Sequence, residues 1–235
     1  MKLKTLYIVV LALILASICI VMISSFSNIA VHASTLPEQH MHTIIIDAGH
    51  GGEDGGAEVD GVTEKDVNLS ISRKLSDILR LCGYTVTEVR TSDVSVYDTE
   101  AETLREKKVS DLNNRVKLFN SSDDNIVVSI HQNKFDSSRY SGSQIFYSQN
   151  NDNSKDLGDR IRTAIIMLLQ NDNTRQLKPA GKDIYVLDNA SVPAVIVECG
   201  FLSNDAERTK LIDNDYQQKM AFAIAMGVID YCQHK

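Results

Sequence analysis

Hydrophobic positions fall into two regimes along the chain. From Leu6 to Ile23 they run almost without interruption behind Lys2 and Lys4, whereas from Thr43 onward they come in short bursts separated by polar turns. The first regime is about long enough to cross a bilayer, and its positive charge lies on the short N-terminal side. Residues 1–33 are therefore expected to form a signal peptide or an N-terminal membrane anchor. Val31-His32-Ala33 places small or aliphatic residues where a signal peptidase reads them, so cleavage and retention both stay open. Residues 34–42 are polar, contain Pro37 and show no period, which reads as a linker.

In the second regime, strand-like bursts alternate with helix-like stripes. Thr43-Ile44-Ile45-Ile46 has the continuous apolar character of a buried strand, and Val67, Ile71, Leu75, Ile78, Leu79 and Cys82 then recur at helical spacing before Gly83. Thr85–Val89 is a β-branched strand. A charged stretch, Asp98–Lys108, interrupts the pattern, and a helix resumes over Val109–Asn120 with Val109, Leu112, Val116 and Phe119 on one side. Strands are expected over Asn125–Ile130, Ser143–Ser148, Ile184–Leu187 and Ala194–Val197, with helices over Ser154–Gln170 and Asp215–Tyr231. This alternation predicts a single three-layer α/β domain over residues 43–235, built on a mostly parallel twisted sheet flanked by helices.

Composition narrows the function. The chain has 235 residues, 43% hydrophobic and 23% charged, enough for one well-buried domain. A net charge of −7 and a pI near 5.3 argue against a nucleic-acid partner, which calls for a basic face. Cys19 lies in the apolar run, while Cys82, Cys199 and Cys232 are widely spaced with no C-x-x-C pair. They read as small buried residues, with a Cys82–Cys232 bridge the alternative in an exported chain.

Candidate chemistry gathers at strand ends, where open α/β sheets bind their ligands. His50 follows the first strand within the glycine-rich run "DAGHGG", His131 directly follows Ile130, and Glu198 directly follows Val197. Glu64 precedes a helix that Thr63 could cap, where the helix dipole favours an ionised carboxylate. Two imidazoles and a carboxylate form a catalytic zinc set with one position open for water or substrate, and a further carboxylate such as Glu198 can carry the proton. Taken singly, each histidine reads more readily as an ordinary polar residue and Glu64 as a solvated first-turn acid. Glu198 is different, because an acid closing an apolar strand is buried and needs a partner. The run "GHGGEDGG" matches no phosphate-binding fingerprint.

The blocks "IIIDAGHGGEDGGA", "EKDVNLSIS", "VSIHQN" and "PAVIVECGFLSN", in that order, resemble the signature blocks of the zinc-dependent N-acetylmuramoyl-L-alanine amidases of the Amidase_3 type. The resemblance covers Thr43 to the C-terminus. It implies a sheet of about six strands, one zinc ion per chain held by His50, Glu64 and His131, and Glu198 as the catalytic carboxylate. The bond implied is the amide between N-acetylmuramic acid and the L-alanine of a peptidoglycan stem peptide. Arg90 and Asn133 are candidate substrate-binding residues, and Arg175 is a further cation able to meet a carboxylate. Arg90 could equally pair with a local acid such as Asp93.

The charged insertion ending in "REKKVSDLNNRVKLFN", followed by "YSGSQIFYS", resembles the germination-specific amidases of endospore formers. That resemblance implies export to the forespore intermembrane space, membrane contact through the N-terminal segment, and removal of cortex stem peptides on the way to muramic-δ-lactam. It also leaves room for a protein partner that targets or activates the enzyme. The charged stretch is either a docking surface for such a partner or a solvated face. A zinc peptidase acting within the stem peptide and a non-catalytic wall-binding regulator are the alternatives.

Overall fold

The structure, a computed structural model, describes residues 42–235; the expectations for residues 1–33 and for the linker up to residue 41 lie outside the described residues. In chain order the elements are β1 (Thr43–Ala48), β2 (Glu58–Val59), β3 (Val62–Thr63), α1 (Glu64–Leu81), β4 (Thr85–Glu88), α2 (Leu104–Phe119) and β5 (Asn125–Asn133). They continue with β6 (Gln144–Tyr147), α3 (Asn153–Leu168), β7 (Lys178–Pro179), α4 (Tyr185–Asp188), β8 (Ala194–Phe201), α5 (Asp205–Leu211) and α6 (Asn214–Gln233). No helix among the described residues is long and apolar enough to cross a membrane.

Six strands form one sheet in the order β4-β1-β5-β8-β6-β7, and β2 pairs with β3 in a separate hairpin. Every neighbouring pair in the large sheet is parallel except β6 with β8. The three central strands are apolar on both faces because both faces are covered. Alternation along β1 shows this directly: Ile44 and Ile46 join the core formed with α1, α3 and α6, while Ile45 joins the core formed with α2 and α4. Gly227 of α6 lets that helix approach α3 closely, since a Cβ there would lie 2.4 Å from the Cα of Ile161.

Several boundaries differ from the sequence expectation. Helix α2 begins at Leu104, inside the charged stretch, because Thr103 accepts from the Glu106 amide and the Glu106 carboxylate accepts from the Thr103 amide. Thr63 stands at the N-cap position of α1, but its hydroxyl donates to the Asp66 carboxylate and caps no backbone amide. Ile184–Leu187 is not a strand. The amides of Leu187 and Asp188 both reach the Ile184 carbonyl, closing one helical turn that buries Val186 and Leu187, and the sheet edge goes to Lys178–Pro179. A four-residue apolar burst has no period by which to separate the two outcomes. Of the three described cysteines, all free, only Cys199 is buried; Cys82 is exposed and Cys232 is half-buried.

Candidate active site

The carboxyl ends of β1, β5 and β8 lie side by side and supply most of the site. Ala48 pairs with Ile130 across β1 and β5, and His131 pairs with Glu198 across β5 and β8. Register partners in a parallel pair share a face, so His131 and Glu198 rise on the same side. Both lie within their strands, which run on to Asn133 and Phe201. His50 comes two residues after β1, and Glu64 is the first residue of α1, where the helix dipole favours its ionised form.

Three of these side chains converge. The Glu64 Oε1 atom lies 2.9 Å from His131 Nδ1 and 3.3 Å from His50 Nε2, and one ligand atom from each residue lies within 4.8 Å of the others. The second ring nitrogen of His50 is held by Asp54 Oδ2 at 2.9 Å, and Asp54 in turn takes the Lys108 ammonium. Glu64 is fixed at both oxygens, Oε2 by the Ala57 amide at 2.9 Å and Oε1 by the Gln132 amide at 3.1 Å. Burial works against the charged form of His50, yet Asp54 and Glu64 prevail and push its pKa up to about 9. The same pairing holds Glu64 and Asp54 well below the usual carboxylate range, although burial opposes it.

The loop carrying His50 is bolted down by two arginines. His50 itself has φ 62°, a left-handed conformation uncommon outside glycine that persists where surroundings impose it. Arg90 donates to the carbonyls of Ala48 (2.8 Å), Gly49 (3.1 Å), Ser92 (3.0 Å) and Lys65 (2.8 Å). Arg115 donates to those of Ala48 (3.1 Å) and His50 (2.8 Å). Gly49 makes room for the second histidine, because a Cβ there would lie 2.1 Å from His131 Nε2.

Glu198 stands beside this cluster and is chemically unlike it. Its Oε2 atom is buried and has no hydrogen-bond partner among the described residues. Burial pushes its carboxyl up to about 7, with Glu64 adding to the rise and the two histidines opposing it. It faces a cleft of 290 Å³ shared with His50 and His131 and walled by Lys108, Ile184 and Tyr185. Two imidazole nitrogens and one carboxylate oxygen, with the His50 ring oriented by Asp54 and Glu64 by two backbone amides, fit a divalent ion of borderline softness, and the partnerless Glu198 oxygen fits a fourth, exchangeable ligand beside them.

The expected residues thus divide. His50, Glu64, His131 and Glu198 come together around one cleft. Arg90 does not join them: it is buried, its guanidinium is committed to backbone carbonyls, and Asp93 pairs with Lys65 at 2.7 Å instead. It positions the His50 loop and is not free to meet a substrate. Asn133 is half-buried at the end of β5, beyond a register shift against β8, and its carbonyl accepts from the Leu202 amide at 2.8 Å. Sequence reasoning missed Asp54, although four residues after His50 in a glycine-rich loop is a natural place for a histidine's orienting carboxylate, and it gave Arg115 no role.

Comparison with known proteins agrees with this geometry. Residues 44–230 match the family model described as N-acetylmuramoyl-L-alanine amidase. The chain is 35% identical over 196 residues to the germination-specific N-acetylmuramoyl-L-alanine amidase of Bacillus subtilis, covering 82% of this chain and 80% of that one. The structure of the CwlD amidase from Clostridioides difficile in complex with the GerS lipoprotein superposes with a TM-score of 0.79 at 40% identity, covering 83% of this chain and all of that one. An N-acetylmuramoyl-L-alanine amidase from Clostridium difficile 630 superposes with a TM-score of 0.71 at 29% identity, over 83% of this chain and 98% of that one. With its family model matched across nearly the whole described domain, the chain belongs to the Amidase_3 family of N-acetylmuramoyl-L-alanine amidases.

Proposed function

We propose that this amidase is a zinc enzyme of the spore cortex, in which His50, Glu64 and His131 hold one zinc ion and Glu198 moves the proton. The observation that carries the reading is the pairing of a converged His-Glu-His set with a buried, partnerless carboxylate oxygen beside it. Bound zinc would polarise the scissile carbonyl and make water a better nucleophile. Asp54 orients the His50 ring, and the Ala57 and Gln132 amides hold Glu64 ionised. Glu198, poised near neutrality, is suited to taking a proton from the attacking water and giving it to the departing alanine nitrogen.

The cortex assignment is supported by the germination-specific name of the Bacillus relative and by the resemblance of the charged insertion to that type. It implies extracytoplasmic action through an N-terminal export segment and trimming of stem peptides toward muramic-δ-lactam. A protein partner is part of the proposal, because the CwlD relative is a complex with a lipoprotein. The test is digestion of spore-type peptidoglycan by the full chain supplied with zinc, read by mass spectrometry beside a Glu198→Gln control. Stem peptides beginning with free L-alanine, absent from the control, are expected. Intact muramyl-alanine bonds with shortened peptides would overturn the reading in favour of a stem peptidase, and unchanged zinc content in Glu64→Ala would overturn the ligand assignment.

A further inference from the structure

A second groove, of 760 Å³, opens one strand along from the catalytic cleft, and Gln144, the register partner of Glu198 across β6 and β8, lines it. Four cations line it as well: Arg139, Arg175, Lys178 and Lys210. None of the four is ion-paired among the described residues, whereas around the catalytic cleft Lys65, Lys107 and Lys108 are each tied to a carboxylate. Of the acids in the groove, Glu207 is engaged by the amides of Gly142 and Phe201, and Asp172 is exposed. A cationic groove on a chain of net charge −7 is a local arrangement that the overall composition works against.

Arg175 is held ready at its centre. Its guanidinium carbon sits 4.5 Å from the centroid of Phe201 and 5.9 Å from that of Tyr140, and its Nε donates to the Ser141 carbonyl at 2.7 Å. Its two terminal nitrogens have no hydrogen-bond partner among the described residues, which leaves the side of the guanidinium that grips a carboxylate through two parallel bonds. The rim is preformed: Asn173 donates to the Ser143 carbonyl at 3.0 Å, the Ser143 amide to Gln170 at 2.9 Å, and the Gly142 amide to Glu207 at 2.8 Å.

We propose that this groove binds the stem peptide, with Arg175 reading the free α-carboxylate of the D-glutamyl residue next to the L-alanine, and Lys178 and Lys210 meeting carboxylates further along. The proposal deepens the amidase reading and rests on it. On one side of the scissile amide the substrate is an uncharged sugar; on the other it is a peptide whose γ-linked glutamyl residue leaves a carboxylate free. The catalytic cleft offers that carboxylate Lys108 and Arg115, and both are already held by acids, Lys108 by Asp54 and Arg115 by Asp47 and Asp111. Neighbouring strands lie about 4.8 Å apart and an extended chain advances about 3.5 Å per residue, so the second and third peptide residues from the amide reach the groove.

The test is a calorimetric titration of the full chain with the tripeptide L-Ala-γ-D-Glu-meso-diaminopimelate and with the same peptide amidated at the glutamyl α-carboxyl. The acid is expected to bind about tenfold more tightly than the amide, and Arg175→Ala to abolish that difference while Arg175→Lys keeps part of it. Lys210 is exposed on α5, so Lys210→Glu tests the groove without disturbing the core; it is expected to weaken the acid peptide more than the amide. Equal binding of acid and amide by the wild type, or a preference unchanged in Arg175→Ala, overturns the proposal, as it would if the groove instead docked an acidic protein. The readout is binding of a product, so loss of the amidase reading itself would show separately, as absent turnover.

Discussion

Two polar clusters, one buried and one half-buried along the cleft, meet at the carboxyl end of β1, and they differ in how completely they are closed. In one, Arg115 lies between Asp47 and Asp111: the second oxygen of Asp47 takes the Ser129 hydroxyl at 2.7 Å, that of Asp111 takes the Val96 amide at 2.8 Å, and two further guanidinium hydrogens reach the carbonyls of Ala48 and His50. In the other, His50, Glu64 and His131 converge on one point and Glu198 keeps a buried oxygen without a partner. Both are dense in charge. A closed cluster fixes geometry, whereas an open one retains unmet bonding capacity that a metal ion, water or substrate can satisfy. Arg115 links the two, because the same guanidinium that closes the first cluster holds the His50 carbonyl of the second.

Breaking the closed cluster is expected to give the largest loss of stability. Arg115→Ala leaves Asp47 and Asp111 buried without their counter-ion and should cost about 3–5 kcal/mol in urea unfolding. Activity would fall with it through the freed His50 loop. In the open cluster, Glu198→Gln should instead lower turnover by about 10²- to 10⁴-fold while leaving the unfolding midpoint unchanged or higher. A midpoint that drops in Glu198→Gln as far as in Arg115→Ala would remove the distinction between the clusters.

A smaller effect separates ligand from orienting group. Asp54 is one hydrogen bond removed from the convergence point, so Asp54→Ala should weaken zinc binding by about 10- to 100-fold in competition with a chelator, while Glu64→Ala abolishes it. Equal losses in the two variants would mean that Asp54 is itself a ligand.

The open cluster was legible in the sequence and the closed one was not, for a physical reason. His131 and Glu198 each stand at the end of an apolar burst and His50 closely follows one, so the sheet rule brings these three together, whereas Glu64, read singly as a solvated first-turn acid, joined them through the resemblance. Arg115 carries no comparable mark: it stands 65 residues from the His50 carbonyl it binds, on a helix whose start was misplaced because the Thr103–Glu106 capping box lay in a stretch read as merely charged. Arg90 was visible as a cation at a strand end. That several backbone carbonyls would converge on it depends on how the Gly49–His50 turn and the start of α1 come together, which local sequence does not encode. Ile184–Leu187 failed for the opposite reason, being too short for its period to discriminate.

The smallest expected effect is a difference of sign in how the two clusters respond to pH, measured as urea stability after chelation of metal. Burial alone would raise Asp47, but Arg115 and the Ser129 hydroxyl hold it below its ordinary range, so the unfolded chain binds the proton more tightly. Its contribution is present above the unfolded value of about 3.9 and is lost as pH falls toward the folded value. Glu198 runs the other way. Burial pushes its folded value up to about 7, so between the unfolded value of about 4.3 and that point the folded state holds the extra proton and stability declines as pH rises. The stability of wild type minus that of Asp47→Asn should therefore rise as pH rises to about 4, while that of wild type minus Glu198→Gln should fall as pH rises to about 7. Two differences of the same sign would mean that the Glu198 carboxyl has a partner after all, and that the open cluster is closed.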